Sequence, residues 1–436
     1  MPSLPRVIYY LTNAMRRLNW KEERLGKYKL RRLRQVLKYA YTNVPFYHDK
    51  FKKAGIDPSE IRTLDDIAKV PITTKDELRQ QPQSRLISQE YLDRNLRVVT
   101  TSGSTGKPFR ICMTGAEDDW RKAIYMRANI CCGQRLRDKW LVIVGPHHFT
   151  SATGLQRTLG IYTRTCVSVF EDVATQISIA KNMRPDILDG YSSSILLLSK
   201  EMEKTGQTEH IRPRIVFGNA EIIVESSRKY IEHVFQAPYY DQYGCAEFNR
   251  TAWQCPEKSG YHMDEDSVVA QFVDEQEKEV SAGERGEIIY TSLFNFAMPF
   301  IRYGVGDLGI PSDEKCSCGR TLPLMKTVEG RRDSLIVLPG GQKLSPRAFT
   351  VATSMYEHYH DIEQFRIVQK ESNLLEILLK LRENAGNEKT IGKGLEAHLN
   401  RMLNLEKQSM RLDVKLVKDI PLGKGGKLMA VISELK

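Results

Sequence analysis

One stretch of this 436-residue sequence combines the residue types that bind phosphate. Residues 100–108 read Thr-Thr-Ser-Gly-Ser-Thr-Gly-Lys-Pro. Glycine lets the backbone come close to a ligand, hydroxyl and N–H groups donate to phosphate oxygens, and Lys107 adds positive charge. The stretch is not a Walker A loop, because Thr101 and Pro108 stand where that motif requires Gly and Ser or Thr. It predicts a triphosphate-binding loop outside the P-loop fold, with a polar surface turn as the alternative.

Cysteine and histidine spacing predicts a metal site farther along the chain. Cys255 and His262 are seven residues apart, and Cys316 and Cys318 lie in a Cys-Ser-Cys-Gly segment. Three thiolates and an imidazole suit tetrahedral Zn²⁺. The alternative is a pair of unrelated loops with free thiols. We expect a structural zinc site with four protein ligands and no open position.

Short apolar runs between helical stretches indicate the elements that position these residues. Residues 140–145, 187–190 and 215–218 have the composition of buried parallel strands, and helices are predicted at 192–204 and 225–235. Alternating strands and helices favour an α/β core.

Three polar or aromatic residues follow two of these predicted strands. His147 and His148 come after the first strand, and Tyr191 follows the second. The carboxyl ends of strands are where α/β proteins bind ligands. These residues are therefore candidates for the substrate site, with solvated loop histidines as the alternative.

Composition changes at residues 330–347, where charged residues precede Pro-Gly-Gly and Ser-Pro. Beyond this break, strands are predicted at 364–370 and 374–381 and a helix at 388–404. Residues 410–416 alternate between apolar and polar, as a half-buried strand does. The pattern predicts a small α+β domain. Near the other end of the chain, residues 29–42 predict an amphipathic helix, and Thr74 followed by Glu77 predicts a helix cap.

Overall composition is that of a globular protein, with 41% hydrophobic and 27% charged residues. No apolar run reaches the ~18 residues of a membrane span, and the first residues lack the order of a signal peptide. We therefore expect a cytoplasmic protein, in which eight cysteines are core residues or metal ligands rather than disulfides.

Positive charge is concentrated near the N-terminus. Residues 16–38 contain ten Lys or Arg and two Glu, whereas the net charge of the whole chain is +11. No nucleic-acid-binding motif accompanies this charge, so we expect no nucleic-acid partner. A solvated helix face is one interpretation, and peripheral contact with an anionic membrane is the other.

Six segments, taken together, resemble the adenylate-forming superfamily. They are the loop at 100–108, Phe-Gly-Asn-Ala-Glu at 217–221, Tyr-Gly-Cys-Ala-Glu at 243–247, Gly-Asp at 306–307, Gly-Arg-Arg-Asp at 330–333 and Pro…Gly-Lys at 421–427. The order along the chain is that of the family. More narrowly, the sequence is similar to the phenylacetate–coenzyme A ligase-like branch, which includes proteins associated with capsular polysaccharide synthesis. Asn-Val-Pro-Phe-Tyr at 43–47 also resembles an N-terminal element of this branch.

The resemblance implies a role for each matched residue. ATP would contact Thr101, Ser102, Gly103, Ser104, Thr105, Gly106, Lys107, Asn219, Ala220, Glu221, Tyr243, Gly244, Asp307 and Arg331. Glu247 would hold Mg²⁺ and Lys427 would act on the α-phosphate during adenylation. Asp333 would be the hinge, and some members of the branch are similar at the predicted zinc ligands.

The fold that the resemblance implies is α/β, with two domains. Residues 1–330 would form a large ATP- and carboxylate-binding domain with mixed sheets and a helical lead-in at 1–90. Residues 331–334 would form the hinge, and 335–436 a small mobile α+β lid domain. The implied reaction converts a carboxylic acid to acyl-AMP with release of pyrophosphate. The acyl group then passes to coenzyme A or an amine.

One residue departs from the family pattern. Ala246 stands where the family usually has Thr or Ser before the Glu, so one hydroxyl that would donate to phosphate is missing. Two alternatives therefore stay open. One is an amide-forming or adenylyl-transferring enzyme of surface polysaccharide synthesis, and the other is a non-catalytic scaffold that retains the fold. The sequence does not indicate the oligomeric state; a homodimer is one candidate, since dimers are the commonest soluble assembly.

Overall fold

The computed structural model describes residues 3–100, 109–150, 152 and 154–435. Internal contacts divide the chain into two compact units. The first unit comprises Met1–Arg137, Thr153–Leu159 and Tyr240–Thr327, and the second comprises Asp138–Ala152, Gly160–Tyr239 and Val328–Lys436. The predicted boundary at 331–334 divides the chain differently and stays a prediction.

The helices are distributed along the chain, with strands between many of them. They are α1 (Leu4–Arg17), α2 (Glu22–Asn43), α3 (Pro45–Ala54), α4 (Lys75–Arg79), α5 (Gln83–Leu86), α6 (Gly115–Cys131), α7 (Gly154–Leu159), α8 (Val173–Met183), α9 (Ser192–Lys204), α10 (Glu225–Phe235), α11 (Pro346–Ser354) and α12 (Glu388–Leu403).

The strands are mostly short. They are β1 (Arg97–Thr100), β2 (Arg110–Met113), β3 (Trp140–Val144), β4 (Arg164–Ser168), β5 (Ile187–Tyr191), β6 (Ile215–Asn219), β7 (Tyr239–Cys245), β8 (Asn249–Gln254), β9 (Tyr261–Met263), β10 (Val268–Val273), β11 (Gly286–Ser292), β12 (Tyr303–Ser312), β13 (Leu324–Arg331), β14 (Ile336–Val337), β15 (Lys343–Leu344), β16 (Ile362–Glu371), β17 (Leu374–Leu381), β18 (Arg411–Leu416) and β19 (Val431–Ser433).

The strands of the first unit are largely antiparallel and run in the order β10-β11-β12-β13-β9-β8-β7. A separate antiparallel pair, β1 and β2, precedes α6, and its register places Thr100 opposite Arg110. The predicted triphosphate loop, with its seven candidate residues from Thr101 to Lys107, connects these strands. That loop lies outside the described residues.

The second unit contains four parallel strands in the order β6-β5-β3-β4. All five residues of β3 are buried, as are those of β5, which explains why both read as continuous apolar runs with few polar residues. The prediction of a buried parallel core is confirmed, and with it the α/β class. The carboxyl ends of these strands carry His147, Tyr191 and Asn219 on or directly after them.

The C-terminal part of the second unit forms its own sheet, in the order β18-β17-β16-β19. Helices α11 and α12 pack on it around a core that includes Phe349, Ile377, Leu395 and Leu399. The predicted strand pair at 364–381 is confirmed, with β16 and β17 antiparallel. Strand β18 pairs with β17 on one side only, which agrees with its half-buried alternation.

A buried ion-pair network fixes α6 in the first unit. Arg127 contacts Asp264 at 2.6 Å and Asp266 at 2.8 Å, and Arg17 at the end of α1 contacts Asp266 at 2.6 Å. Burying charges is costly, and each group here is compensated by an opposite charge. The network holds α1 and α6 to the turn between β9 and β10. Among the described residues, none of the helices is long and apolar enough to cross a membrane.

Lys200 joins two parts of the second unit. Its ammonium group, on α9, donates to the backbone carbonyls of Ile362 at 2.9 Å and Glu363 at 2.8 Å on β16. The pKa of Lys200 is lowered to about 7, chiefly by burial and secondarily by the nearby Arg382 guanidinium, while the Glu363 carboxylate opposes both effects.

We expect the stability of the chain to rise between pH 7 and pH 9 because of Lys200. The unfolded lysine has a pKa of about 10.4. Over this window the unfolded chain therefore binds more protons than the folded chain, and the free energy of unfolding increases with pH. Urea unfolding at several pH values measures the slope, which Lys200→Met should reduce. Lys204→Met is the matched control, since Lys204 lies on the same helix but pairs with Glu383 in solvent. Equal slopes in wild type and Lys200→Met would contradict the assignment.

Candidate active site

Glu247 is deeply buried in the first unit, with 3% of its surface exposed. It follows β7, and its Oε1 lies 3.1 Å from the Lys75 ammonium and accepts a 2.8 Å hydrogen bond from the Tyr303 hydroxyl. Burial raises the pKa of this carboxyl, but Lys75 and Tyr303 outweigh burial and hold the pKa below its ordinary value. Glu247 is therefore an ionised carboxylate, the form that can hold Mg²⁺.

The Tyr243 hydroxyl donates a 2.8 Å hydrogen bond to Oδ2 of Asp307. Tyr243 lies on β7 and Asp307 on β12, so the structure brings together two residues that the sequence separates by more than sixty positions. A Cβ at Gly244, next to Tyr243, would lie 2.0 Å from the Asn249 carbonyl oxygen. Glycine is thus required for β7 and β8 to approach each other here, which is a structural reason for the Tyr-Gly pair.

Two cations near Glu247 are absent from the sequence-based predictions. Lys75 is the first residue of α4, which begins with the predicted Thr74–Glu77 capping box, here confirmed. Arg121, on α6, donates to the carbonyl oxygens of Ala246 at 2.8 Å and Glu247 at 3.3 Å. Neither residue lies in a motif, so the sequence carries no signal that links them to Glu247.

In the second unit, the loop that carries Lys427 lies against the end of β3. A Cβ at Gly145 would lie 3.0 Å from the Gly425 carbonyl oxygen, and one at Gly426 would lie 2.2 Å from Val169. Gly426 also has a φ of 79°, in the left-handed region that favours glycine. These glycines therefore allow the close contact between the loop and the strand end.

Lys427 lies beside the predicted substrate residues. Its ammonium nitrogen is 5.6 Å from the centre of the Tyr191 ring, within the range of a cation–π contact. The Tyr191 hydroxyl accepts a 3.4 Å hydrogen bond from the Gly145 N–H, and the His148 ring lies 6.4 Å from the Tyr191 ring. Sequence reasoning named Tyr191, His147, His148 and Lys427 from separate segments, and the structure places them around one strand end.

Both histidines are neutral at physiological pH. The pKa of His148 is lowered to about 4, chiefly by desolvation, with His147, Lys427 and Arg164 acting in the same direction. Desolvation and Lys427 also lower the pKa of His147. Lys427 therefore adds positive charge beside both histidines, while the imidazoles can each donate one hydrogen bond.

The remaining predicted residues of the second unit have other partners. Asn219 donates to Asp189 at 2.9 Å, and Ala220 has a φ of 68°. Arg331 pairs with Asp333 through two contacts of 3.2 Å, and both side chains are half exposed. Asp333 thus lies in an exposed pair directly after β13, and its role as a hinge stays a prediction.

The four predicted metal ligands converge in the first unit. The ligand atoms of Cys255, His262, Cys316 and Cys318 all lie within 4.8 Å of one another. The Cys255 and Cys316 sulfurs are 3.5 Å apart, and the Cys318 sulfur is 3.3 Å from Nε2 of His262. Two thiolates on one tetrahedral Zn²⁺, at about 2.3 Å each, are separated by about 3.8 Å, so the cluster has the right size.

The surroundings of the cluster also suit a metal. Nδ1 of His262 lies 3.4 Å from the Leu322 carbonyl oxygen, which orients the ring with Nε2 toward the sulfurs. Burial lowers the pKa of His262 to about 4, so the ring is the neutral imidazole that binds metals.

Comparison with known proteins identifies the class. No family model matches the chain. It is 28% identical over 368 residues to a phenylacetate-coenzyme A ligase of Thermus thermophilus, covering 82% of this chain and 81% of the relative. It is 30% identical over 328 residues to one of Pseudomonas putida, covering 72% of each. Protein CapK of Staphylococcus aureus is 22% identical over 419 residues, covering 93% of this chain and 88% of CapK.

A solved structure of 2-hydroxyisobutyryl-CoA ligase, in the postadenylation state with 2-HIB-AMP, superposes with a TM-score of 0.80 at 22% identity, covering 96% of this chain and 92% of that one. The fold is therefore that of the adenylate-forming enzymes, as the six segments predicted. Within that class, the chain belongs to the phenylacetate–coenzyme A ligase family, since the 30% identical relative from Pseudomonas putida aligns with 72% of this chain.

Proposed function

We propose that this protein is an ATP-dependent acid–thiol ligase. In the first step a carboxylate oxygen attacks the α-phosphate of ATP, forming acyl-AMP and releasing pyrophosphate. In the second step the thiol of coenzyme A attacks the acyl carbonyl, forming a thioester and releasing AMP and a proton. The observation that supports this most strongly is the position of Lys427 beside Tyr191 at the end of parallel strands, in a chain whose relatives are phenylacetate–CoA ligases.

Lys427 would stabilise the charge that develops on the α-phosphate as the carboxylate attacks. A fixed cation at the point of charge development is usually the largest contribution to such catalysis. The neutral His147 and His148 would donate hydrogen bonds to the substrate carboxylate without adding charge. The Tyr191 ring would form part of the wall of the acyl pocket.

Several further residues would hold the nucleotide and the metal. Tyr243 offers a ring for stacking on adenine and Asp307 offers acceptors to ribose hydroxyls, with Arg331 as a further ribose or phosphate contact. Mg²⁺ would supply charge neutralisation at the phosphates, and Glu247, ionised and buried, is the residue that would hold it. Lys75 already compensates the charge of Glu247.

Carboxylate-dependent exchange of labelled pyrophosphate into ATP tests the first step. A panel of aryl, fatty, amino and sugar acids would identify the substrate class. Exchange with one class of acid supports the proposal. Protein that is folded but does not bind ATP would refute it, and bound ATP without exchange for any acid would favour a non-catalytic scaffold.

A second candidate concerns the acceptor. CapK matches a larger share of this chain than the phenylacetate–CoA ligases do. This favours, as the alternative, a role in surface polysaccharide synthesis with an amine or sugar as acceptor. Incubating preformed acyl-AMP with coenzyme A, amino sugars or amines, and identifying the product by mass spectrometry, separates the two.

We also propose that the zinc cluster is structural. Four protein ligands fill a tetrahedral Zn²⁺ and leave no position for a substrate. The two pairs of ligands lie far apart in sequence, at 255–262 and 316–318, so the metal would tie the β8–β9 hairpin to the segment before β13.

Helix α2 carries a basic face that we propose contacts an anionic membrane. Its exposed residues include Arg24, Lys27, Arg31, Arg34 and Lys38, which recur every three or four positions and so lie on one side of the helix. The opposite side packs into the protein through Leu33 and Leu37. Each cation near an anionic surface contributes about 1 kcal/mol of attraction.

We expect this protein to sediment with vesicles that contain phosphatidylserine and not with phosphatidylcholine vesicles. Charge attraction is screened by salt, so binding should fall as salt increases. Replacing Arg31, Arg34 and Lys38 by glutamine should abolish binding. The matched control replaces three exposed cations of α12, Lys389, Lys393 and Arg401. If the protein does not bind phosphatidylserine vesicles at low salt, the membrane proposal is wrong and the basic residues form a solvated helix face.

A further inference from the structure

Glu221 connects the loop after β6 with the loop that carries Lys427. Its Oε1 accepts a 2.6 Å hydrogen bond from the backbone N–H of Leu428, and its Oε2 accepts one of 2.7 Å from the N–H of Ser193. Both oxygens are therefore engaged by backbone donors. These contacts are to backbone groups, whereas the family resemblance implies that Glu221 contacts ATP.

The Leu428 N–H belongs to the same peptide unit as the Lys427 carbonyl. That carbonyl accepts a 2.9 Å hydrogen bond from the Gly423 N–H, and Gly426 in turn donates to the Gly423 carbonyl at 2.8 Å. The peptide plane that follows Lys427 is thus held at both of its polar groups. Fixing that plane restricts the direction in which the Lys427 side chain leaves the backbone.

The other contact of Glu221 explains why a carboxylate is suited to this position. Ser193 lies in the first turn of α9, a helix of 13 residues, where N–H groups without helical partners and the helix dipole favour a negative charge. The preceding residue, Ala220, has a φ of 68°, in the left-handed region that non-glycine residues rarely adopt. This strained residue lies in the turn that directs Glu221 toward α9 and toward the loop that carries Lys427.

We propose that Glu221 is a positioning residue for adenylation: it anchors the peptide after Lys427 to the N-terminus of α9 and thereby directs the Lys427 ammonium. The inference rests on the proposed function and deepens it. A charge-assisted hydrogen bond of this kind is strong, and misplacing a catalytic group by a small distance has large kinetic effects.

The variant Glu221→Gln tests this assignment. Glutamine keeps the shape of the side chain but can accept only through one oxygen, so one of the two backbone donors loses its partner. We expect kcat for pyrophosphate exchange to fall about 10- to 100-fold, while KM for ATP is unchanged. Thioester formation from supplied acyl-AMP should be unaffected. In the Lys427→Ala background, Glu221→Gln should cause little further loss, because the two residues act together.

Hydrogen exchange of the backbone amides gives a readout that does not depend on activity. Glu221→Gln should speed exchange of the Leu428 amide, even if no substrate is known. Glu225→Gln is the matched control, since Glu225 lies four residues away and pairs with Arg228 at the surface. Unchanged Leu428 exchange together with unchanged kcat would refute the proposal. A rise in KM for ATP alone would show that Glu221 contacts ATP and does not position Lys427. If the wild-type protein shows no pyrophosphate exchange, the proposed function is refuted instead.

Discussion

Lys427→Ala is expected to reduce carboxylate-dependent pyrophosphate exchange by about 10²–10³-fold, the usual cost of losing one charge-stabilising group in an active site. The physical reason is the position of the ammonium group beside Tyr191, close enough to the two neutral histidines to lower the pKa of both. Exchange of labelled pyrophosphate into ATP, with the best acid of the panel, measures the effect.

Lys424→Ala is the matched control for that experiment. Lys424 lies in the same loop but is exposed. Its replacement should leave exchange near the wild-type rate. Acyl transfer from supplied acyl-AMP should survive in Lys427→Ala, because adenylation is the step assigned to this residue. Full exchange activity in Lys427→Ala would contradict the mechanism.

Among the changes proposed for this protein, removal of the zinc should cause the largest fall in the free energy of unfolding. Purified protein should contain one Zn²⁺ per chain by elemental analysis, and Cys316→Ser should contain none. Without metal, the cluster is a buried group of thiols beside a neutral imidazole, with no charge interaction to hold the two segments together. In a domain of this size each kcal/mol lost lowers the melting temperature by about 2–4 °C.

The zinc prediction therefore has two measurable parts, metal content and melting temperature. A chelator should lower the melting temperature of wild type to that of Cys316→Ser and should not change the variant. Cys166→Ser is the control, because Cys166 lies on β4 and outside the cluster. If the wild-type protein contains no zinc and a chelator does not change its melting temperature, the zinc prediction is wrong and the cysteines are free thiols.

Local pattern was sufficient to predict much of the fold. Strands β3, β5 and β6 are largely buried and mostly apolar, with Asp189 and Asn219 as the polar exceptions, and their parallel pairing follows from the helices between them. Helix α2 shows where local pattern is not sufficient, because the helix begins at Glu22 and the predicted helix began only at residue 29. Its first turns carry mostly charged residues, so the apolar stripe is weak there, while Glu22 and Glu23 favour the helix N-terminus electrostatically.

The residues that carry the chemistry of the site were easier to predict than the residues that contact them. The family resemblance identified Tyr243 and Asp307, cysteine and histidine spacing identified the four metal ligands, and the structure brings each set together. The contact between Lys75 and Glu247 could not be predicted, because it joins a helix start to a strand end across 172 positions of sequence that follow no shared pattern. Glu221 was assigned to nucleotide on its motif, whereas its hydrogen bonds are to backbone.

The pairing of β1 with β2 has a consequence for how this enzyme can change. Thr100 and Arg110 are direct partners in an antiparallel ladder, so the ends of the intervening segment are fixed by the strands and not by its own residues. The entropic cost of closing a loop grows slowly with its length, by about 0.6 kcal/mol for each doubling. Insertions between these strands should therefore cost little folding free energy while the flanking ladder is kept. Selection, natural or in the laboratory, can thus vary the length of this segment without rebuilding the strands on either side of it.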